Sequence, residues 1–201
     1  MLRQTTQTTL LLSATLLLAA YSAQAQESQT GSHAEVQFSN DTLQMRYMAD
    51  GDRVNVGANS QASAAFFLSE ERDIVLSGDL LFPARFDFAP PLGIRFGPRA
   101  YAALLEDENN DVMALSVGAE ARFTIHRSSG LAIAGHAFYA PDILTFGSAD
   151  NLTDLGARVE ISATPRLLVF GGMRWFEFDL TDGSGERTLQ EELFVGAGWR
   201  F

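Results

Sequence analysis

Read back from the C-terminus, Phe201, Trp199, Ala197, Val195 and Leu193 take every second position, with Arg200, Gly198, Gly196 and Glu192 among those between. Side chains alternate faces along a strand, so this segment carries one apolar face and one polar or small face. Phe194 is the exception on the second face. The same period recurs upstream. Over 112–126, Leu115, Val117, Ala119, Ala121, Phe123 and Ile125 oppose Ser116, Gly118, Glu120, Arg122, Thr124 and His126. Over 153–163, Leu155, Ala157, Val159 and Ile161 oppose Asp154, Gly156, Arg158, Glu160 and Ser162. Alternating segments between turn signals, with no helical period competing, predict about ten strands. They lie near 34–39, 42–49, 53–69, 73–85, 92–105, 112–126, 130–140, 153–163, 167–180 and 189–201.

Two architectures accommodate such alternation. A soluble sandwich turns the apolar face inward; a membrane barrel turns it toward lipid and the polar face into a lumen. The N-terminus favours the barrel. Arg3 supplies a positive n-region, 10–20 is an apolar run, and Ala23-Gln24-Ala25 fits the small-x-small cleavage rule, which predicts a signal peptide over 1–25. That run is shorter than the ~20 residues a spanning helix requires. The expected fold is therefore all-β: a transmembrane antiparallel up-and-down barrel over 34–201, after a flexible lead-in at 26–33. It has about ten strands, eight being the alternative. Short connections at 50–52, 127–130 and 163–166 read as periplasmic turns. Acidic or longer ones at 70–72, 106–111, 141–151 and 181–188 read as outer loops, which places both termini in the periplasm. The connection at 86–91 is long for that scheme.

Charge sharpens the picture. An arginine facing lipid at mid-bilayer costs ~2–4 kcal/mol. Arg46, Asp79, Arg95, Arg99, Glu120, Arg122, His136, Arg158, Glu160, Arg174 and Arg200 are accordingly expected to line the lumen. Two states of that lumen remain open. The charges can pair and fill a narrow barrel, or their excess of arginine can form a narrow, anion-preferring path. Tyr47, Tyr139, Trp175 and Trp199 fall on the lipid face, as interfacial aromatics do. The formal net charge of −11 argues against a nucleic-acid partner. The absence of cysteine excludes thiol catalysis and cysteine-based zinc sites.

Catalytic and metal-binding patterns are sparse. His126 and Ser128 are two apart at a turn, but no third group orients the pair, and an ordinary polar turn is the preferred reading. His136 stands alone among the inner residues, which gives no histidine metal cluster. Asp107-Glu108-Asn109-Asn110-Asp111 begins like a calcium loop, yet Val112 and Gly118 occupy the places of the required Gly and Glu. A solvated loop is preferred there, with loose divalent-cation bridging to lipopolysaccharide phosphates as the alternative. No cofactor or metal is expected.

Gly135-His136-Ala137-Phe138-Tyr139-Ala140-Pro141-Asp142, Gly156-Ala157-Arg158-Val159-Glu160 and Gly172-Met173-Arg174-Trp175 resemble, in order and spacing, the YfaZ family of bacterial outer-membrane proteins. His136 departs from the Glu that family members often carry there. The resemblance implies a small outer-membrane barrel. The last strand also resembles the insertion signal of the barrel-assembly machinery through Gly196, Trp199 and Phe201, although Phe194 replaces a usual polar residue. The expectation is a monomeric, non-enzymatic outer-membrane barrel in contact with lipid and lipopolysaccharide, with a structural or narrow porin-like role. A lipid-modifying barrel enzyme, or a receptor or adhesin acting through acidic loops, is the alternative.

Overall fold

The computed structural model describes residues 31–57, 59–84, 91–106, 110–181 and 185–201. The signal peptide, most of the lead-in, most of the 86–91 connection and Asp107 to Asn109 lie outside the described residues. The strands are β1 (His33–Phe38), β2 (Thr42–Asp50), β3 (Gln61–Ser69), β4 (Ile74–Ala84), β5 (Leu92–Leu105), β6 (Asn110–His126), β7 (Leu131–Ala140), β8 (Thr145–Gly147), β9 (Ala149–Ser162), β10 (Leu167–Leu180) and β11 (Glu186–Arg200). Every pairing is antiparallel, and ten strands form a closed ring. The eleventh, β8, is a three-residue patch that pairs with β6 beyond the end of β7.

Closure falls between the first strand and the last. His33 lies opposite Arg200 and Phe38 opposite Val195, and the Phe201 amide donates to the Ser32 carbonyl at 3.0 Å. A closed ring leaves no strand edge with unpaired backbone groups. It also defines two ends: a terminal end that carries both ends of the barrel segment, and a distal end opposite.

Three expectations need correction. The strand foreseen over 53–69 starts only at Gln61, because Asn55, Gly57 and Asn59 adopt φ of 57°, 119° and 62°. That left-handed backbone is tolerated mainly by Gly and Asn and cannot continue a strand. The chain instead folds back on itself, with Gly51 N donating to Ser60 O at 2.8 Å. The turn expected at 50–52 thus becomes a loop over 51–60, and the alternation of Val54 and Val56 was coincidental. His33 belongs to β1 rather than to the lead-in. The long connection at 141–151 is mostly structured, as a short 3-10 turn (Asp142–Leu144), β8 and the start of β9.

The two faces of the wall have opposite chemistry. Phe38, Met45, Leu76, Phe96, Val117, Val159, Leu193 and Val195 are exposed on the outside, as are Tyr47, Tyr139, Trp175 and Trp199. Inside, the distal half is apolar and aromatic: Phe67, Tyr101, Phe176 and Phe178 pack with Val75, Leu152 and Leu189. A second cluster of Leu168, Phe170 and Phe194 sits nearer the terminal end. Phe194, the outlier in the alternation, is therefore an inward packing residue, 6.3 Å from Phe170 between ring centroids. Gly196 makes room for that pair, since an added Cβ would lie 2.4 Å from Phe170 Cε2.

Gly196→Ala is accordingly expected to destabilise the barrel by ~1–3 kcal/mol, the usual cost of overpacking. Adding Phe170→Leu should recover part of the loss. Denaturant unfolding followed by tryptophan fluorescence measures both. Wild-type stability in Gly196→Ala would remove the packing role.

Candidate functional site

Between the two apolar clusters lies a network of charged side chains, some linking neighbouring strands and others, such as Arg46 with Glu120 and Arg158 with Glu35, linking strands that are not paired in the sheet. The second kind can only be made through the interior. Arg46 on β2 places Nη2 2.8 Å from Asp79 Oδ2 on β4 and 2.6 Å from Glu120 Oε1 on β6. Arg99 on β5 places its own Nη2 2.8 Å from each of the same two oxygens. Two guanidinium groups and two carboxylates thereby alternate around a closed quartet.

Asp154 on β9 is the next junction, with a side chain 0 % exposed. Arg174 donates to it from Nε at 2.8 Å and from Nη2 at 3.0 Å, and Tyr101 donates its hydroxyl at 2.8 Å. Arg99 Nη1 lies 3.3 Å from Oδ2, and His136 Nε2 lies 3.0 Å from Oδ1. Arg99 thus connects Asp154 to the quartet. Arg174 reaches onward to Gln44 Oε1 on β2 at 2.5 Å. Gly156 accommodates the histidine, because a Cβ there would lie 2.4 Å from His136 Cε1.

A third group lies toward the terminal end. Arg158 on β9 grips Glu35 on β1 with both terminal nitrogens, at 2.7 and 3.0 Å. It also contacts Glu160 at 2.8 Å, and Glu160 accepts from Arg122 Nε at 2.7 Å. Aromatic rings back the arginines. Arg99 Cζ lies 3.7 Å from the Phe138 centroid, Arg174 4.3 Å from Phe176 and Arg158 4.4 Å from Phe170. Each cation is held between a carboxylate and the negative face of a ring.

Of the positions singled out in the sequence, the structure brings together Arg46, Asp79, Arg99, Glu120, Arg122, His136, Arg158, Glu160 and Arg174. It leaves Arg95 and Arg200 outside every ion pair among the described residues, and Arg95 Nε has no hydrogen-bond partner. The signature positions separate by face: Trp199 and Phe201 are exposed outside the wall, and Gly196 faces Phe170. Sequence reasoning left out Glu35, Asp154, Gln44 and Tyr101. The signal for the first two was present: Glu35 shares a face with His33 and Gln37, and Asp154 alternates with Leu155. With both included, the paired lumen acids Glu35, Asp79, Glu120, Asp154 and Glu160 match Arg46, Arg99, Arg122, Arg158 and Arg174 one for one, with Arg95 and Arg200 left outside the pairs.

Outside the lumen, His126 Nδ1 at the end of β6 lies 3.0 Å from Ser129 Oγ and 3.1 Å from Ser128 Oγ in the surface turn that follows. No carboxylate among the described residues forms an ion pair with that ring. At the distal end, Glu70, Glu71, Arg72, Glu106 and Arg187 line an open hollow of about 350 Å³. Beneath it Asp73, 1 % exposed, lies 3.0 Å from Arg187 Nη2.

Removing one partner of a buried ion pair costs ~3–5 kcal/mol because the remaining charge is left uncompensated. Asp154→Asn keeps the shape, removes the charge, and leaves Arg174 and Arg99 facing a neutral amide. It is expected to destabilise the barrel by that amount in equilibrium unfolding. A change below ~0.5 kcal/mol would show that Asp154 is not a neutralising centre.

Several solved structures are similar to this barrel. A bacterial polysaccharide outer membrane secretin shares 16% identity over 84% of this chain and 69% of its own, with a TM-score of 0.46. The NanC porin shares 10% over 85% of this chain and 98% of its own, at 0.40. The Acinetobacter baumannii outer membrane protein Omp33 shares 13% over 86% and 98%, at 0.38. No curated protein matches the chain. The family model described as YfaZ precursor matches residues 7–201, nearly the whole sequence, and the chain belongs to the YfaZ family.

Proposed function

We propose that this protein is an integral outer-membrane barrel, exported through its signal peptide, whose lumen is closed by paired side chains. Its role is structural and non-enzymatic. The carrying observation is the contrast across the wall of a closed ring. The outside exposes Leu193, Val195, Trp199 and Phe201 on one strand and Met113, Leu115, Val117, Phe123 and Ile125 on another, while the inside holds ion pairs. Water would penalise the first surface, whereas a bilayer solvates it. The outward stretch from Leu193 on β11 to Phe201 just after it matches the ~9–11 residues with which a tilted strand crosses a membrane. With the terminal end in the periplasm, the acidic distal rim faces the cell exterior.

The interior supports a closed barrel over an open pore. Pairs such as Arg46 to Glu120 and Arg158 to Glu35 stand across the path a solute would take, and the aromatic cluster fills the distal half behind them. A second reading, a narrow path that opens transiently, draws on Gln37 Nε2, Asp79 Oδ1 and both amide atoms of Gln190, which are buried with no hydrogen-bond partner. Buried polar groups of this kind mark places where water enters. The exposed His126 and Ser128 pair, with no acid among the described residues placed to orient the ring, offers little to a catalytic role.

Conductance of the refolded protein in a planar bilayer separates these readings. The expected result is no steady unitary step in the wild type and steps in the Glu35→Ala, Arg158→Ala double variant. Steady steps in the wild type, with a reversal potential showing anion preference across a salt gradient, would favour the path and remove the closed lumen.

A further inference from the structure

Apart from Arg95, the described arginines divide by position. The chain has no lysine. Every arginine of the lumen network is ion-paired, and on the distal rim Arg72 pairs with Glu106 and Arg187 with Glu71 and Asp73. On the terminal rim, Arg53, Arg127, Arg166 and Arg200 enter no ion pair among the described residues.

Printed backbone and side-chain contacts place these four along one arc. Arg53 Nη1 donates to Ser32 Oγ at 3.1 Å, and the Ser32 carbonyl accepts from Phe201 N at 3.0 Å. Next to Phe201, the Arg200 amide donates to the Arg166 carbonyl at 2.9 Å. The β9–β10 turn that holds Arg166 begins after Ser162, whose amide donates to Ser129 O at 3.1 Å in the turn that holds Arg127. The arc therefore runs from the β2–β3 loop through β1, β11 and β10 to the β6–β7 turn. Arg53, Arg127 and Arg166 are exposed. The acids closest in sequence, Asp50 and Asp52, are not ion-paired with Arg53.

Depth identifies the partner. Immediately distal to the arc, the outer wall exposes Ile125, Ile161 and Trp199, the terminal border of the apolar band. In a bilayer the lipid phosphates lie just beyond that border. The opposite rim is predominantly acidic, with Glu70, Glu71, Glu186 and Glu191 exposed and its Arg72 and Arg187 ion-paired, so it disfavours anions. Arginine presents a planar fork that matches phosphate oxygens with two hydrogen bonds.

We propose that this arc is a docking surface for anionic phospholipid headgroups of the periplasmic leaflet, which hold the barrel at a fixed depth and orientation. The proposal rests on the membrane reading given above. The full exported chain is reconstituted in vesicles of phosphatidylethanolamine and phosphatidylglycerol, extracted gently, and its retained lipid measured by native mass spectrometry. The wild type should retain phosphatidylglycerol in preference. Enrichment should fall by about fivefold per arginine removed in the Arg53→Gln, Arg127→Gln, Arg166→Gln variant. Lysine at the same three positions should keep the part of the enrichment owed to charge and lose the part owed to the two-pronged contact, and Glu70→Gln with Glu71→Gln should leave it unchanged.

A folded glutamine variant with wild-type enrichment would overturn the proposal. So would displacement of the retained lipid by soluble glycerol phosphate, which would assign the arc to a solute anion. Failure of the wild type to enter vesicles at all would overturn the membrane reading together with the proposal, which separates that failure from loss of lipid preference in an inserted barrel.

Discussion

A carboxylate withdrawn from water must be neutralised, and the Asp154 side chain, fully buried, meets that requirement with Arg174, Arg99, Tyr101 and His136. These partners come from β10, β5 and β7, so the charge of one residue on β9 constrains much of the ring. Arg99 is shared with the quartet, which extends the constraint to Arg46 on β2. Few arrangements satisfy all of these donors together. The interior consequently specifies which strands face one another, beyond what pairing around the wall determines.

The rest of the interior is arranged around that network. Aromatic rings occupy the distal half and also lie under Arg99, Arg158 and Arg174, within cation–π distance of each guanidinium. Glycines open the space the rings need: Gly156 for His136 and Gly196 for Phe170. The wall is therefore not uniform. Small residues on one strand face large ones on the next, and the lumen is filled by side chains that reach across it. Most other charges of the described residues lie toward the two rims, mainly acidic at the distal end, with four arginines outside any ion pair at the terminal end.

The fold was legible because its signal is a strict period of two. The strand at 92–105 coincides with β5 and that at 167–180 with β10, although 101–105 and 167–170 are continuous apolar runs and turn residues rather than alternation mark their ends. The β2–β3 connection was misjudged because Val54 and Val56 imitate the period, whereas left-handed backbone at Asn55, Gly57 and Asn59 ends it. The inward charges were legible as a face. Their connections were not, since a contact such as Arg158 with Glu35 joins residues far apart in the chain, and only ring closure brings them together. Asp154 shows this limit most clearly. Its face could be read from alternation, but its place at the centre depends on side chains from three other strands.

The most direct test of a lumen held by cross-barrel ion pairs is a double-mutant cycle on Glu35 and Arg158, read as unfolding free energy. Their two-pronged contact spans the interior between β1 and β9, which are not neighbours in the sheet. With Glu35→Gln and Arg158→Gln as the single changes, a coupling energy of ~1–3 kcal/mol is expected. Additivity within ~0.3–0.5 kcal/mol, the behaviour of independent sites, would contradict the account, because the two side chains would then not hold each other across the barrel.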